Sequence, residues 1–312
     1  MSLERALALV DAAGPVAAPN PTVGAVVVVD GEVVGEGVTE PYGGRHGEVV
    51  ALEAAGSRAR GATLFVTMEP CTHHGRTPPC VDAILAAGIA RVVAASSDPN
   101  PVAAGGLARL RELGVDVELD VRDAALRQNE AWRTWVSRGR PFVTLKLAVS
   151  LDGRVVVPGR RWVTGEDARR RVHELRAAHD AVAVGMGTVR ADAPRLDVRD
   201  ADTHRQPRRL AFGRGPLPGG SELELRSGPL ADELRALAEE GVQSLLVEGG
   251  PTIGAALVDG RLVDRLLVFV APVLSGGGPP ALAELAAPLD LTELTVERVG
   301  RDVLLRADLP TV

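Results

Sequence analysis

Cysteine, aromatic residues and long apolar runs are scarce in this sequence. The 312 residues include two cysteines, too few for the disulfide framework of a small secreted protein. Aromatic residues make up 3%, so the core must be built from aliphatic side chains. No run reaches the roughly 18 apolar residues of a membrane helix. The charged N-terminal stretch SLERALALV predicts an amphipathic helix and not a signal peptide.

The charge balance is acidic, with a formal net charge of −6 at pH 7. Proteins that bind nucleic acid normally present a basic face, so we expect no nucleic-acid partner. A hydrophobic content of 46% over 312 residues supplies enough apolar material for two domains. These features predict a cytoplasmic globular protein that acts without a membrane or nucleic-acid partner.

Strands and helices are predicted to alternate along residues 1–120. Two apolar runs joined by Asp30-Gly31 indicate a β-hairpin, since that dipeptide suits a two-residue turn. The following segments predict helices over 46–59, 79–88 and 107–113, and strands over 62–67, 91–96 and 115–119. Such alternation is typical of a layered α/β domain.

A polar segment, 121–140, is interpreted as a linker helix that contains two tryptophans. A second alternating series begins after it, which predicts a second α/β domain over 141–312. Its predicted strands are 141–150, 180–185, 208–212, 244–250 and 264–273, with helices near 165–178 and 230–240. The Pro-, Gly- and Arg-rich stretch 194–230 is expected to be irregular outside the short strand.

Both cysteines lie in one loop, EPCTHHGRTPPC, at positions 71 and 80. One histidine and two thiolates suit Zn²⁺ with a fourth position open for water, and His46 upstream can complete that set. Glu48, two residues further on, can carry a proton from the activated water to a leaving amine. Zinc nucleobase deaminases have this His-x-Glu, Pro-Cys and second Cys pattern, although their thiols are usually separated by two residues and not eight.

Two simpler interpretations of the loop compete with catalysis. The cysteines can be small buried hydrophobes, or His73 or His74 can complete a structural zinc site. A structural site leaves Glu48 without a role, so catalysis is favoured, and both loop histidines stay unassigned. Asn20, which lies between two prolines, is either a turn residue or a hydrogen-bonding partner of the base.

The second half carries a less explicit signal. No G-x-G-x-x-G follows a strand, so a Rossmann domain is not expected. The segment Glu248–Thr252 leaves a strand and enters a helix, which fits a phosphate at a helix N-terminus or a tight turn. Lys146 is the single lysine of the chain and lies in an apolar strand. Its amine is either kept for chemistry or reaches solvent along the apolar stem.

Several motifs together resemble the riboflavin-biosynthesis bifunctional deaminase–reductase family. In the first half they are PNPTVGAVVV, HGEV, EPCTHHGRTPPC and DPNP. In the second half they are KLAVSLDGR, RWVTGEDAR, GTVRADAPRLDVR and VEGGPTIGAAL. The TPPC extension is what separates that family from other deaminases, and the resemblance covers most of the chain.

The resemblance implies a cytidine-deaminase-like three-layer α/β/α domain followed by a dihydrofolate-reductase-like α/β domain. It implies zinc-dependent hydrolytic deamination of 2,5-diamino-6-ribosylamino-4(3H)-pyrimidinone 5′-phosphate, with zinc on His46, Cys71 and Cys80 and with Glu48 as the proton shuttle. NADPH-dependent reduction of the ribosyl group of 5-amino-6-(5-phosphoribosylamino)uracil would follow.

The resemblance also assigns residues of the reductase half. Residues expected to line NADPH are Ala148, Trp162, Thr188, Asp192, Gly250, Pro251, Thr252, Ile253, Gly254, Ala255 and Ala256. Residues expected to face the substrate are Arg176, Leu196, Arg199 and Glu248. We hypothesise that Lys146 and Asp192 lie near the ribose C1′ and assist proton delivery as the hydride arrives.

Three departures and two alternatives accompany the resemblance. Gly47 replaces a common alanine, Arg160 stands where a serine is expected, and the loop 153–161 is shortened. One alternative is a single-function zinc deaminase on another base with an unrelated second domain. The other is a structural zinc protein whose second half serves oligomerisation. Members of the family often self-associate, and the strand 264–273 is a candidate sheet edge for a homo-oligomer.

Overall fold

The computed structural model describes residues 2–199, 201, 203 and 205–310. It divides into two compact units, Met1–Arg138 and Gly139–Val312. None of the helices in the described part of the chain has the length and apolar character needed to cross a membrane.

The first unit is built on a five-stranded sheet with the order β2-β1-β3-β4-β5. The strands are β1 (Gly24–Val29), β2 (Glu32–Val38), β3 (Thr63–Val66), β4 (Arg91–Ala94) and β5 (Asp116–Leu119). The helices are α1 (Ser2–Ala13), α2 (Gly47–Ala55), α3 (Cys80–Ala87), α4 (Gly106–Glu112), α5 (Asp123–Gln128) and α6 (Glu130–Arg138). The predicted hairpin is confirmed, because β1 and β2 pair antiparallel around Asp30 and Gly31, both at positive φ.

Helices cover both faces of this sheet. Along β4, Val92 belongs to a core cluster that contains residues of α2, α3 and α4, whereas Val93 belongs to a cluster with α1 and α5. Since successive side chains of a strand point to opposite faces, the two clusters lie on opposite sides of the sheet. The first unit therefore has the α/β/α layering that the resemblance implies.

The segment 121–140 contains two helices, α5 and α6, where one helix is predicted. They are separated at Asn129, which leaves helical geometry with φ −118°. Its side-chain amide accepts a hydrogen bond from Thr22 N and donates one to Thr22 O, both at 3.0 Å. Trp132 is buried in the core of the first unit. Residues up to Arg138 thus pack with the first unit and do not stand apart from it as a linker.

The second unit contains an eight-stranded sheet with the order β12-β13-β11-β6-β10-β7-β8-β9. The strands are β6 (Phe142–Ser150), β7 (Ala181–Gly185), β8 (Arg208–Phe212), β9 (Glu224–Arg226), β10 (Ser244–Glu248), β11 (Arg265–Ala271), β12 (Thr292–Val299) and β13 (Asp302–Asp308). The helices are α7 (Glu166–Ala178), α8 (Met186–Asp192), α9 (Leu230–Glu239) and α10 (Pro251–Asp259). Parallel pairing joins β11, β6, β10, β7, β8 and β9.

The end of the chain differs from the expectation. The strands β9, β12 and β13 and the helix α8 were not predicted, and β9 lies in the stretch 194–230 that was expected to be irregular. The strand β11 pairs with β6 on one side and with β13 on the other, so the predicted strand 264–273 offers no free sheet edge. The free edge on that side belongs to β12, most of whose side chains are exposed.

Candidate functional site

Three metal-binding side chains meet in the first unit. His46 Nδ1, Cys71 Sγ and Cys80 Sγ all lie within 4.8 Å of one another. The His46 nitrogen is 3.1 Å from the Cys80 sulfur and 3.6 Å from the Cys71 sulfur. Nitrogen and sulfur ligands around a tetrahedral zinc ion are about 3.5 Å apart, given the usual bond lengths. The three donors therefore fit a single zinc ion.

Local structure explains how distant residues form this group. His46 is the residue before α2, in extended geometry, and Cys80 is the first residue of α3. Cys71 lies in the loop after β3, and its sulfur accepts a hydrogen bond from the Cys80 backbone N–H at 3.4 Å. The eight intervening residues loop out and return, so the wide spacing in sequence is compatible with one metal site.

Thr77, within the same loop, contacts the outer nitrogen of His46. Its Oγ1 is 3.3 Å from Nε2. In the tautomer whose proton is on Nε2, this nitrogen donates a hydrogen bond to the Thr77 hydroxyl oxygen. The lone pair of Nδ1 is then available to the metal. Sequence reasoning missed Thr77, although it belongs to the TPPC extension that marks the loop.

The pKa values of the two thiols are shifted in opposite directions. A hydrogen bond from Cys80, aided by one from His46, lowers the pKa of the Cys71 thiol to about 4. The same interaction with Cys71, together with burial, raises the pKa of the Cys80 thiol. These opposite shifts in pKa favour Cys71 as the thiolate, which is the form that binds a metal ion.

Glu48 is buried beside this group, in the first turn of α2. Burial, with a further contribution from the negative charge on Cys71, raises the pKa of Glu48 to about 7. Its Oε2 atom is buried and has no hydrogen-bond partner within the described residues. Because buried polar atoms are nearly always paired, this oxygen is placed to bind water or a substrate group.

A cavity of roughly 310 Å³ opens over these residues. Its lining includes the expected Asn20 and also His73, while His74 does not contribute. Sequence reasoning missed the rest of the wall, which includes Asp98, Trp132, Trp135, Tyr42 and Arg76. The Arg76 guanidinium lies 4.6 Å from the centre of the Tyr42 ring. The tryptophans come from α6, so the segment interpreted as a linker contributes to the site.

In the second unit, Lys146 is paired with Glu248. The two residues are opposite each other on the parallel strands β6 and β10, with Nζ 3.3 Å from Oε2. The Arg176 Nε donates to the other carboxylate oxygen at 2.5 Å. Burial alone would raise the pKa of Glu248, but the charges of Lys146 and Arg176 outweigh it and lower that pKa to about 2. The three groups form a buried ionic cluster.

Some of the residues expected to face the substrate are bonded to this cluster, and others lie further along the chain. Arg176 also donates to the backbone oxygen of Asp197 at 2.9 Å, which ties the cluster to the segment that carries Leu196 and Arg199. Arg199 lies 3.2 Å from the Asp197 carboxylate. Asp192 is an exposed residue at the end of α8, and the structure shows no bond between it and Lys146. The hypothesis that both groups lie near the ribose C1′ stays a prediction.

The loops that follow β7 and β10 face each other at the carboxyl ends of these neighbouring strands. The Thr188 Oγ1 atom is 3.1 Å from the position that a Cβ on Gly250 would occupy, so the two loops face each other closely. A Cβ on Gly187 would meet nothing within 4 Å, which leaves its backbone open to a ligand. Ligands of parallel sheets bind outside the carboxyl ends of the strands, and these glycines allow close backbone approach.

The other residues expected to line NADPH differ in their exposure to solvent. On α10, Ile253, Gly254 and Ala255 are buried, whereas Pro251 is partly buried and Thr252 and Ala256 are exposed. Trp162 is exposed, with the guanidinium carbons of Arg161 and Arg169 at 5.1 and 5.6 Å from its ring centre. Ala148 is partly buried on β6.

Comparison with protein families divides the chain in the same way. Residues 2–96 match the family described as cytidine and deoxycytidylate deaminase zinc-binding region. Residues 141–216 and 226–305 match the RibD C-terminal domain.

Individual relatives align along almost the whole length. The riboflavin biosynthesis protein RibD of Aquifex aeolicus is 38% identical, covering 92% of both chains. The RibD protein of Mycobacterium tuberculosis is 40% identical, covering 92% of this chain and 90% of its own. The structure of Acinetobacter baumannii RibD superposes with a TM-score of 0.85 at 33% identity, covering 99% of this chain and 98% of its own.

A second solved structure carries a description of activity. It is a diaminohydroxyphosphoribosylaminopyrimidine deaminase/5-amino-6-(5-phosphoribosylamino)uracil reductase from Thermotoga maritima, with a TM-score of 0.85 at 33% identity and coverage of 99% and 98%. These matches confirm the expected folds, a cytidine-deaminase-like domain followed by a dihydrofolate-reductase-like domain.

Proposed function

The chain belongs to the RibD family of riboflavin biosynthesis proteins. On that basis we propose which of its residues carry out each of the two reactions of the family. It is a bifunctional enzyme, a zinc-dependent deaminase and an NADPH-dependent reductase that act on small molecules. The first unit deaminates 2,5-diamino-6-ribosylamino-4(3H)-pyrimidinone 5′-phosphate, and the second reduces the ribosyl group of the product to ribityl.

The deaminase proposal is carried by one observation: Glu48, with a free buried oxygen, lies in the same cavity as the three metal donors. Zinc held by His46, Cys71 and Cys80 supplies the Lewis acidity that makes water nucleophilic at neutral pH. Glu48 takes a proton from that water as it attacks the carbon bearing the amino group. It returns the proton to the nitrogen, so that the C–N bond breaks and ammonia leaves.

The reductase proposal rests on the cluster of Lys146, Glu248 and Arg176. NADPH supplies the hydride that is added to the ribosyl C1′. Lys146, held in position by Glu248, delivers the proton to the sugar oxygen that is released. Arg176 is already bonded to Glu248 and to the backbone of the neighbouring segment. Arg199 also has a carboxylate partner, Asp197, but its side chain is exposed whereas that of Arg176 is largely buried, so we assign the substrate's phosphate to Arg199.

One experiment tests both halves. Purified zinc-replete protein is incubated with the diaminopyrimidine phosphate and NADPH, while ammonia and NADPH are followed together. We expect ammonia release and then NADPH oxidation. The Lys146→Met variant should keep ammonia release and lose NADPH oxidation at least about 100-fold. Ammonia without NADPH oxidation in the unaltered protein would leave only the single-function deaminase alternative.

We also propose a cytoplasmic location and self-association. Both cysteines are free, and thiolate ligands are kept reduced in the cytosol. The strand β12 is a sheet edge with Leu294 and Val296 exposed, a feature that a second copy can cover. Cell fractionation and light scattering test these two points, and a monomer at micromolar concentration would contradict the second.

A further inference from the structure

We infer that Gln206 is a positioning residue of the reductase. Its side-chain amide holds the backbone of Val198 and thereby sets the next residue, Arg199, to receive the 5′-phosphate of the substrate. The inference rests on the proposed reductase function, because it concerns how the substrate of that reaction is bound. Gln206 was not singled out by sequence reasoning.

The segment 196–199 lies outside the helices and strands and begins in a sparsely populated backbone conformation. Leu196 has φ +56°, in the left-handed region that residues other than glycine rarely occupy. Its side chain is buried in a core cluster with Val184 and Met186. A backbone in this region persists only where its surroundings hold it in place. The shape of the segment is therefore set by contacts with other parts of the second unit.

The Gln206 side chain pairs with Val198 as the backbone of a neighbouring strand would. Its Oε1 accepts from Val198 N at 2.7 Å, and its Nε2 donates to Val198 O at 3.0 Å. Val198 is buried, and buried backbone groups need a hydrogen-bond partner. A pair of bonds to one residue fixes both its position and its orientation, so this amide determines where the chain leads into Arg199.

Two side chains of α7 hold the backbone on the other side. Arg176 donates to Asp197 O at 2.9 Å, and His173 Nδ1 accepts from Arg199 N at 3.4 Å. His173 and Arg176 are three positions apart on α7, so they lie on the same face of the helix. In an extended chain the backbone groups of alternate residues point to opposite sides. The segment is thus held between α7 and Gln206.

Arg199 is the exposed end of this segment. Its Nε lies 3.2 Å from Asp197 Oδ1, and a guanidinium has five N–H donors, so one carboxylate leaves donors for a phosphate. A flexible side chain loses conformational freedom when it binds a ligand, and a fixed backbone reduces that cost. Without the Gln206 amide, the segment keeps only its contacts to α7, and Arg199 binds the phosphate less tightly.

Direct binding tests the inference without turnover. The deaminated substrate, 5-amino-6-(5-phosphoribosylamino)uracil, and its dephosphorylated form are each titrated into the full-length protein by calorimetry. The variant Gln206→Met keeps a side chain of similar length and removes both hydrogen bonds. It should weaken binding of the phosphorylated compound about 10-fold and leave binding of the dephosphorylated compound unchanged. Gln128→Met, the same change in α5 of the first unit, is the matched control and should affect neither compound.

A double-variant cycle shows whether Gln206 acts through Arg199. Arg199→Ala should cause a phosphate-specific loss of its own. Adding Gln206→Met should then cause no further loss, because the side chain to be positioned is already absent. In steady-state reduction, Gln206→Met alone should raise KM for the phosphorylated substrate and leave kcat unchanged, which also reports that the second unit is folded.

Three results would overturn the inference. They are equal weakening of both compounds by Gln206→Met, which indicates a merely structural role, unchanged binding in that variant, and losses that add in the double variant. An Arg199→Ala variant without a phosphate-specific loss would overturn the assignment of the phosphate to Arg199 and the inference with it. The expected binding pattern in a protein that does not oxidise NADPH would instead overturn the proposed reductase function and leave the inference standing.

Discussion

The substitution Glu248→Gln tests the buried ionic cluster of the second unit. Glutamine keeps the size of the side chain and removes its charge, so Lys146 and Arg176 lose the carboxylate that they share. Unpaired buried cations are costly, and breaking a buried ion pair by removing one partner is strongly destabilising. We therefore expect a loss of both stability and reductase activity, with deaminase activity retained.

The magnitude follows from the pKa of Glu248, which falls from 4.5 to about 2 in the folded protein. A shift of this size is worth about 3 kcal/mol of folding free energy. Because the folded-state pKa is depressed, the stabilisation is fully present above the unfolded pKa and is lost as the pH falls through the folded one. The difference between the two proteins should thus be about 3 kcal/mol at pH 7 and about 2 kcal/mol at pH 3.5.

Urea unfolding of the full chain at pH 7, 5 and 3.5 measures this difference, with ammonia release as a control that the first unit is intact. Equal stability of variant and parent at pH 7 would refute the reasoning. So would a difference that does not shrink between pH 5 and pH 3.5, since a pH-independent loss indicates a packing defect and not a lost charge pair.

Three further predictions concern the first unit. A Cβ in Gly47→Ala collides with the backbone oxygen of Val23, so the variant should lose about 1–3 kcal/mol despite the better helix propensity of alanine, and calorimetry should show a lowered Tm. Thr77→Val removes the hydrogen-bond partner of His46 and should weaken zinc affinity about 10-fold in a chelator competition, while Thr77→Ser should retain it. An unchanged affinity for the valine variant would show that Thr77 does not orient the histidine. Removal of zinc with a chelator should stop ammonia release and leave NADPH oxidation with the deaminated substrate intact, because all three metal donors belong to the first unit.

Local sequence signals were sufficient for much of the fold. Asp30-Gly31 predicted the hairpin, and the helix predicted over 79–88 matches α3, which ends at Gly88 in the left-handed conformation. The strand predicted over 208–212 matches β8. In each case the physical cause lies within a few residues of the element.

Features that depend on contacts between residues far apart in the chain could not be predicted from the sequence. The helix predicted over 121–140 is interrupted because Asn129 bonds to Thr22, more than 100 residues away. The strand β12 was missed because its alternation of apolar and polar residues is short, limited to Leu294–Glu297, and its side chains are almost all exposed, so it packs on no core that would mark it.

In the candidate sites, too, residues in local motifs were predicted and contacts between distant residues were not. His-x-Glu and the two cysteines were visible in the sequence, and the structure brings His46, Cys71 and Cys80 together. The tryptophans of the cavity wall and the partner of Lys146 were not visible. The pairing of Lys146 with Glu248 is fixed by the register of two parallel strands, which no local pattern encodes.

The central claim is that Glu48 and the zinc donors catalyse the first of two consecutive reactions in separate sites. The most direct measurement compares Glu48→Gln with the parent protein at equal zinc content. The variant should lose ammonia release by about 10²–10⁴-fold and show no NADPH oxidation from the diamino substrate. Supplying the deaminated product should restore NADPH oxidation to the parental rate. Ammonia release at the parental rate by the zinc-loaded variant would contradict the account.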